Sequence, residues 1–298
     1  MSLNLKPDSK VLIQGITEPL ASTYATKMKA YGTNVVAGVS PGQGGQILDG
    51  IPVFDLVEQA LPVTGAIDTS IIFVPPYLVL DAALEAIASQ IRQIIIVTNG
   101  MPPLDMIYLL RIADANKTSI VGPHSMGIIV PDKILLGTHP AEFYTSGSVG
   151  IISRCGTLTS EIALELTKTG IGQSISVNIG SNGIVGSSLS QWLEILDKDD
   201  NTKAIVLIGQ TEGGNEETVA RYIAEEIKKT VVVYIAGRHA PGVKRQRYAS
   251  DLIVSQPVME ASIDVAETKI ATFEKLKIPV APRPSQIPEL VKKAIKKG

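Results

Sequence analysis

The sequence predicts an α/β protein of two consecutive domains, each built on a mainly parallel sheet. Three observations carry that expectation. The chain has 298 residues, two domains' worth at roughly 150 residues each. Short aliphatic runs bounded by Gly, Pro or Asn recur along it, apolar on both faces as buried parallel strands require. Amphipathic stretches with apolar residues at helical spacing separate the runs, so strands and helices alternate as in right-handed βαβ units.

In order along the chain, strands are expected at residues 11–14, 35–39, 70–74, 94–98 and 119–121. Helices are expected between them at 22–31, 78–89 and 104–116. The stretch Tyr144-Thr145-Ser146-Gly147 then interrupts the alternation. The second series has strands at 149–153, 176–179, 204–208, 231–235 and 252–254. Its helices fall at 158–168, 188–196, 216–228 and 263–275, with a lysine-rich last helix from Ile287. The expected domains are therefore residues 1–145, Rossmann-like, and 146–298, flavodoxin-like.

Composition removes several function classes. One cysteine cannot form an internal disulfide or a cysteine-based zinc site, and no metal site is expected. A net charge of −2 gives no electrostatic reason to expect nucleic acid or an acidic membrane as partner. The first nine residues are polar, unlike a signal peptide. No apolar run approaches the about 18 residues of a membrane span, so a cytoplasmic protein is expected. Only 19% of residues are charged, which suits heavily covered sheets and a subunit surface. Any histidine-dependent chemistry must use His124, His139 or His239.

In open α/β sheets ligands sit beyond the carboxyl ends of the strands, so the loops there carry the functional argument. The first is Gln14-Gly15-Ile16-Thr17-Glu18-Pro19-Leu20-Ala21. It has one glycine, a carboxylate that repels phosphate, and a proline that lacks an N–H. A capped helix start with Pro19 in its first turn is at least as good a reading as a phosphate site. The second, Ser40-Pro41-Gly42-Gln43-Gly44-Gly45, allows close backbone approach to a ligand, or is simply a glycine-rich turn. Val74-Pro75-Pro76, Val97-Thr98-Asn99-Gly100 and Gly122-Pro123-His124-Ser125 should line the same edge. In the second domain Ser153-Arg154-Cys155-Gly156-Thr157 leaves a strand and opens a helix, a place suited to an anion. Cys155 has no histidine near it in sequence, so it is not expected to act as a nucleophile. The remaining loops are Gly209-Gln210-Thr211-Glu212 and the basic stretch from Arg238 to Asp251, either anion-facing or a solvated charged loop.

Taken together, these loops resemble the succinyl-CoA synthetase α-subunit family along nearly the whole chain. The resemblance rests on Gln14-Gly15-Ile16-Thr17, Gly38-Val39-Ser40-Pro41-Gly42-Gln43-Gly44-Gly45, Ser153-Arg154-Cys155-Gly156-Thr157-Leu158-Thr159, Gly170-Ile171-Gly172-Gln173-Ser174 and Tyr234-Ile235-Ala236-Gly237. It implies a CoA-binding first domain, a ligase second domain and an ATP-grasp β-type subunit as partner, with nucleotide and Mg held by that partner. It also implies a place in the tricarboxylic acid cycle. By carry-over, the CoA positions are Thr17, Glu18, Pro19, Leu20, Val39, Ser40, Gln43, Pro75, Val97, Thr98 and Asn99. The phosphate and substrate loop is Ser153, Arg154, Cys155, Gly156 and Thr157, with Ser160 at the substrate end.

Family chemistry runs through a phosphorylated histidine in a Gly-His-Ala-Gly segment. Tyr248 matches that histidine here, and Gln210 matches the glutamate that supports it. Gln43 stands for a lysine of the CoA loop, and Ser160 for a tyrosine. The reading that follows is a diverged α-type subunit that binds CoA or an anion, pairs with a β-type subunit and has lost the usual phosphohistidine. Two alternatives remain: an acyl or carbamoyl transferase that uses the phosphate loop without phosphohistidine, and a non-enzymatic regulatory or scaffold protein. His239 is a weak substitute acceptor, because phosphoryl transfer needs in-line placement. Tyr248 is weaker still, since phenol titrates near ~10.

Overall fold

The computed structural model describes residues 5–210, 216–237 and 265–297. The chain divides into two compact units, Met1–Ala141 with Ile184–Ser187, and Glu142–Gly183 with Ser188–Gly298. The expected strand at 252–254, His239 and Tyr248 lie outside the described residues.

In the first unit the aliphatic runs form β1 (Val11–Gln14), β2 (Val35–Val39), β4 (Ile51–Phe54), β5 (Thr69–Ile72), β6 (Gln93–Ile96) and β7 (Ser119–Val121), with a two-residue β3 (Ile47–Leu48). The helices are α1 (Pro19–Ala30), α2 (Val57–Thr64), α3 (Val79–Ala88) and α4 (Pro103–Ala115). The sheet order is β3-β4-β2-β1-β5-β6-β7, parallel throughout except for the β3–β4 pair. That is the doubly wound Rossmann order, whose switch point lies between β1 and β5. Leu12, Ile72, Ile94 and Ile96 from the strands pack with Ala83, Ala86 and Leu109 from α3 and α4, which is why these strands read as unbroken aliphatic runs.

Beyond the expected series this unit also holds β3, β4, helix α2 and a pair of strands after β7. Strands β8 (Gly127–Val130) and β9 (Ile134–Gly137) form an antiparallel hairpin. It turns at Pro131-Asp132, where Asp132 takes a positive φ of 61°. The hairpin packs onto the end of α1: Thr33 Oγ1 donates to the Leu135 carbonyl at 2.8 Å and accepts from its N–H at 3.1 Å. Helix α2 is only eight residues long and contains Pro62, so no run of helical periodicity announces it.

The second unit holds β10 (Ser146–Ser153), α5 (Gly156–Lys168), β11 (Gln173–Asn178), α6 (Leu189–Lys198), β12 (Ala204–Gly209), α7 (Glu216–Glu226), β13 (Thr230–Ile235), α8 (Val265–Lys275) and α9 (Ile287–Lys297). β10 pairs in parallel with β11 on one side and β12 on the other, and β12 pairs with β13. A further parallel bridge joins Val233 to Val280. The resulting order is flavodoxin-like, and its switch point lies between β10 and β12. Helix α6 shows why such segments fold as they do. Ser188 caps it, accepting from the Gln191 N–H at 3.2 Å, while the Gln191 side chain returns to the Ser188 N–H at 2.8 Å. Leu189, Trp192, Leu193 and Leu196 then bury a single face.

Candidate functional site

The second switch point is built where β10 ends. Ser153 is fully buried, and its hydroxyl bridges both polar groups of Cys155, taking the N–H and giving to the carbonyl at 3.0 Å each. Arg154 is buried too, and its guanidinium donates to the Asn182 carbonyl at 2.6 Å. Its N–H donates to the Ile208 carbonyl at 3.1 Å. Across the switch point, Gln210 follows β12 directly and its Nε2 donates to the Arg154 carbonyl at 2.9 Å. The Gln210 carbonyl in turn accepts from the Nζ of Lys269, a buried residue of α8, at 2.8 Å.

This bracing sets the start of α5. Cys155 is its N-cap in extended conformation and makes no side-chain cap. The first helical N–H with an acceptor in the turn is that of Thr159, which reaches the Cys155 carbonyl at 3.0 Å. Helix geometry therefore leaves the N–H groups of Gly156, Thr157 and Leu158 for an outside acceptor. No acidic residue lies in the first turn, so the helix dipole is undiminished there. The arrangement suits a phosphate or carboxylate. Cys155 Sγ lies 3.6 Å from Thr157 Oγ1. One turn on, Ser160 meets the buried phenol of Tyr144, whose pKa is pushed up by burial and partly offset by hydrogen bonds to Ser176 and Ser160. Tyr234, at the end of β13, is raised by burial first and then by the charges of Glu161 and Cys155.

The first switch point has a different lining. Gly15 holds a φ of +77°, and a Cβ there would lie 2.9 Å from the Val74 N, so the loops after β1 and β5 approach as only glycine permits. Thr17 and Ser40 share a hydroxyl–hydroxyl hydrogen bond of 2.6 Å. Glu18 is the uncapped N-cap of α1 and Pro19 its first residue; both are exposed. After β2, Gly42 and Gly45 adopt positive φ, and added Cβ atoms would meet nothing within 4 Å. Asp55 holds this loop from below by accepting the Gly44 N–H at 2.9 Å. Thr98 Oγ1 donates to the Val74 carbonyl at 2.7 Å, and Asn99 is exposed beside it. Val39 is buried, Gln43 and Val97 are half-buried, and Leu20 and Pro75 face solvent.

The histidines separate by position. His139 is fully buried with Nε2 3.0 Å from the Gly127 carbonyl, and burial pulls its pKa down to about 4. That bond ties it to the first residue of β8. His124 sits on the carboxyl edge of the first sheet with a φ of 56°, and burial lowers its pKa. His239, Tyr248 and the basic stretch around them lie outside the described residues. Among the described residues no group of three or more His, Cys, Asp or Glu could hold a metal ion.

The structure thus gathers Arg154, Cys155, Gly156, Thr157 and Gln210 at one switch point, and Thr17, Ser40, Val97 and Thr98 at the carboxyl edge of the other sheet. Ser153 serves the turn from beneath. Lys269, Asn182 and Asp55 belong to these sites and are missed from sequence. Asp55, directly after β4, sits where loop position could have suggested it. Lys269, inside an amphipathic helix, carries no such signal.

Two family models match the chain: a CoA binding domain over residues 6–100 and a CoA-ligase over residues 152–274. The subunit alpha of ADP-forming succinate–CoA ligase from Aquifex aeolicus is 39% identical over 300 residues, covering 99% of this chain and 95% of the relative. The same subunit from Staphylococcus aureus is 38% identical over 298 residues, covering 100% of this chain and 96% of the relative. Among solved structures, ATP citrate lyase of Methanosaeta concilii in complex with (3S)-citryl-CoA superposes with a TM-score of 0.86 at 16% identity, over 99% of this chain and 51% of that one. The dinucleotide forming acetyl-coenzyme A synthetase 1 of Ca. Korarchaeum cryptofilum gives 0.70 at 19%, over 93% of this chain and 58% of that one. The chain spans a little over half the length of these two solved proteins, and at such identities the likeness is one of fold.

Proposed function

This chain belongs to the succinate–CoA ligase α-subunit family, and from that premise we propose that it is a CoA- and anion-binding partner of a β-type ATP-grasp subunit, with the phosphohistidine step lost from its usual place. The observation that carries the reading is the bond from Gln210 Nε2 to the Arg154 carbonyl at 2.9 Å. The family resemblance puts a glutamate at this position, orienting the phosphorylated histidine. A carboxylate is an acceptor only and cannot make the bond that Gln210 makes. The side chain is spent on bracing the anion loop, and the position of the histidine is taken by Tyr248. Losing the acceptor and its supporting carboxylate together leaves no general base and no phosphoryl acceptor there.

CoA fits the first unit on one feature above the rest: Gly42 and Gly45 leave backbone open with no side chain in the way. Thr17, Ser40, Gln43, Val97, Thr98 and Asn99 would hold it, with Pro75 and Leu20 offering apolar surface. When bound, CoA supplies a thiol nucleophile for acyl transfer. Glu18 keeps anionic groups away from the start of α1, so the phosphates are steered to the glycine loop. In the second unit the free N–H groups of Gly156 and Thr157 hold a phosphate or the oxyanion of an acyl group. That same feature supports a second reading, acyl or carbamoyl transfer by phosphorolysis, which needs the loop and no histidine. Nucleotide and Mg belong to the β-type partner. No described helix is long and apolar enough to cross a membrane, and a cytoplasmic site of action is part of the proposal.

The test is incubation of the full chain with a β-type subunit of the family, Mg and ATP labelled in its γ-phosphate. Stable association without acid-labile label on this chain is the expected result. Acid-labile label that disappears in His239→Ala overturns the loss of phosphohistidine chemistry. Absence of any association overturns the partner.

A further inference from the structure

Lys269 stands on α8, 59 residues from Gln210 in sequence, yet its Nζ lies 2.8 Å from the Gln210 carbonyl and the residue is only 8% exposed. Burying an ammonium is costly, and an apolar residue of similar volume is often at least as stabilising. The bond from this buried ammonium to the Gln210 carbonyl gives Lys269 a geometric task. Its ammonium holds the Gln210 peptide, which fixes the direction in which the Gln210 side chain leaves the backbone. That side chain donates to the Arg154 carbonyl at 2.9 Å. The peptide plane joining Arg154 to Cys155 is rigid, so its N–H points the opposite way, where Ser153 Oγ takes it at 3.0 Å. Held on both edges, this plane sets the first turn of α5 and the aim of the Gly156 and Thr157 N–H groups.

We propose that Lys269 is the positioning residue of the anion loop, acting through Gln210 and the Arg154–Cys155 peptide on the N–H groups that bind phosphate. The role rests on the anion-loop reading given above and adds the element that orients the loop. It touches no ligand itself.

The test titrates inorganic phosphate into the full chain by calorimetry. Lys269→Met keeps the volume of the side chain and removes its donors. Phosphate affinity should fall about tenfold, the scale of one misdirected charge-assisted hydrogen bond, while the thermal midpoint holds or rises. Lys269→Arg should recover most of the affinity, because it restores a buried donor. Gln210→Ala should lower affinity by a similar factor, and the Lys269→Met/Gln210→Ala double variant should lose nothing further, as members of one relay do. Lys293→Met removes the same charge from the exposed side of α9 and should leave affinity unchanged. Wild-type affinity in Lys269→Met, or additive losses in the double variant, overturns the relay while the anion loop stands. A wild-type chain that binds no phosphate overturns the anion-loop reading itself, and the relay with it. Where Lys269→Met does not fold, Gln210→Ala decides: unchanged affinity there overturns the proposal.

Discussion

At the first switch point α1 opens with Glu18 and Pro19, and at the second α5 opens with Cys155 and Gly156. Both helices follow the central strand of a doubly wound sheet, and both point their N-termini at the crevice where such folds bind ligands. The first start carries a carboxylate and lacks one N–H. The second carries no acidic residue and presents three N–H groups without an intrahelical acceptor. Topology supplies a helix start at each crevice, and two or three side chains decide whether that start attracts or repels an anion. In the first unit the open backbone lies in the neighbouring loop, where added Cβ atoms at Gly42 and Gly45 would meet nothing within 4 Å.

The two units should also differ in acid response through their histidines, and this is the largest effect expected. His139 is buried in the first unit with a pKa of about 4, while the described part of the second unit holds no histidine. Below pH ~6.5 the unfolded chain takes up a proton that the native state refuses. Stability should therefore fall as pH drops from about 6.5 to about 4, by about 3 kcal/mol from this group, and level off below. Denaturant unfolding across that range checks it, with His139→Gln flattening the fall. An unchanged fall in that variant removes the assigned cause.

Next in size is Gly156→Pro. Proline is tolerated at the first helical residue, and Cys155 before it is already extended at φ −122° and ψ 113°. The variant loses one donor, worth about 1.5–3 kcal/mol toward a charged acceptor, so phosphate affinity should drop by about tenfold or more. Gly156→Ala keeps the N–H and should bind nearly as the parent does. Equal losses in both would mean that bulk, not the donor, matters. The smallest effect belongs to Glu18→Gln. A charge interaction between exposed groups is worth about 0.2–1 kcal/mol, so removing this repulsion should raise CoA affinity by up to about fivefold at low ionic strength, and the gain should shrink in high salt. No gain at low salt would place the phosphates of CoA beyond the reach of α1.

Much of the fold was legible because buried parallel strands write themselves as aliphatic runs. Val11–Gln14, Val35–Val39 and Ser119–Val121 form strands at the positions the runs indicate. The β8–β9 hairpin was not, since two aliphatic runs joined by Pro131-Asp132 do not alternate with helices. The passage of residues 184–187 into the first unit has no local signal at all. Of the site, the loop positions could be read from their place after strands, and so could the identity of Gln210. What Gln210 does with its amide could not. Lys269 is the clearest case, because a lysine between Thr268 and Ile270 in an amphipathic helix looks like part of a solvated face.

The sequence by itself determined the alternation of strand and helix and the residues that open each helix. These follow from periodicity and residue type, which act over a few positions. Tertiary structure alone decided that Gln210 braces a carbonyl 56 residues away, that Ser153 is closed beneath the turn, and that Lys269 is buried under the loop after β12. Those outcomes depend on strand order, which brings β10 and β12 side by side, and on the burial that follows when α8 packs against its unit.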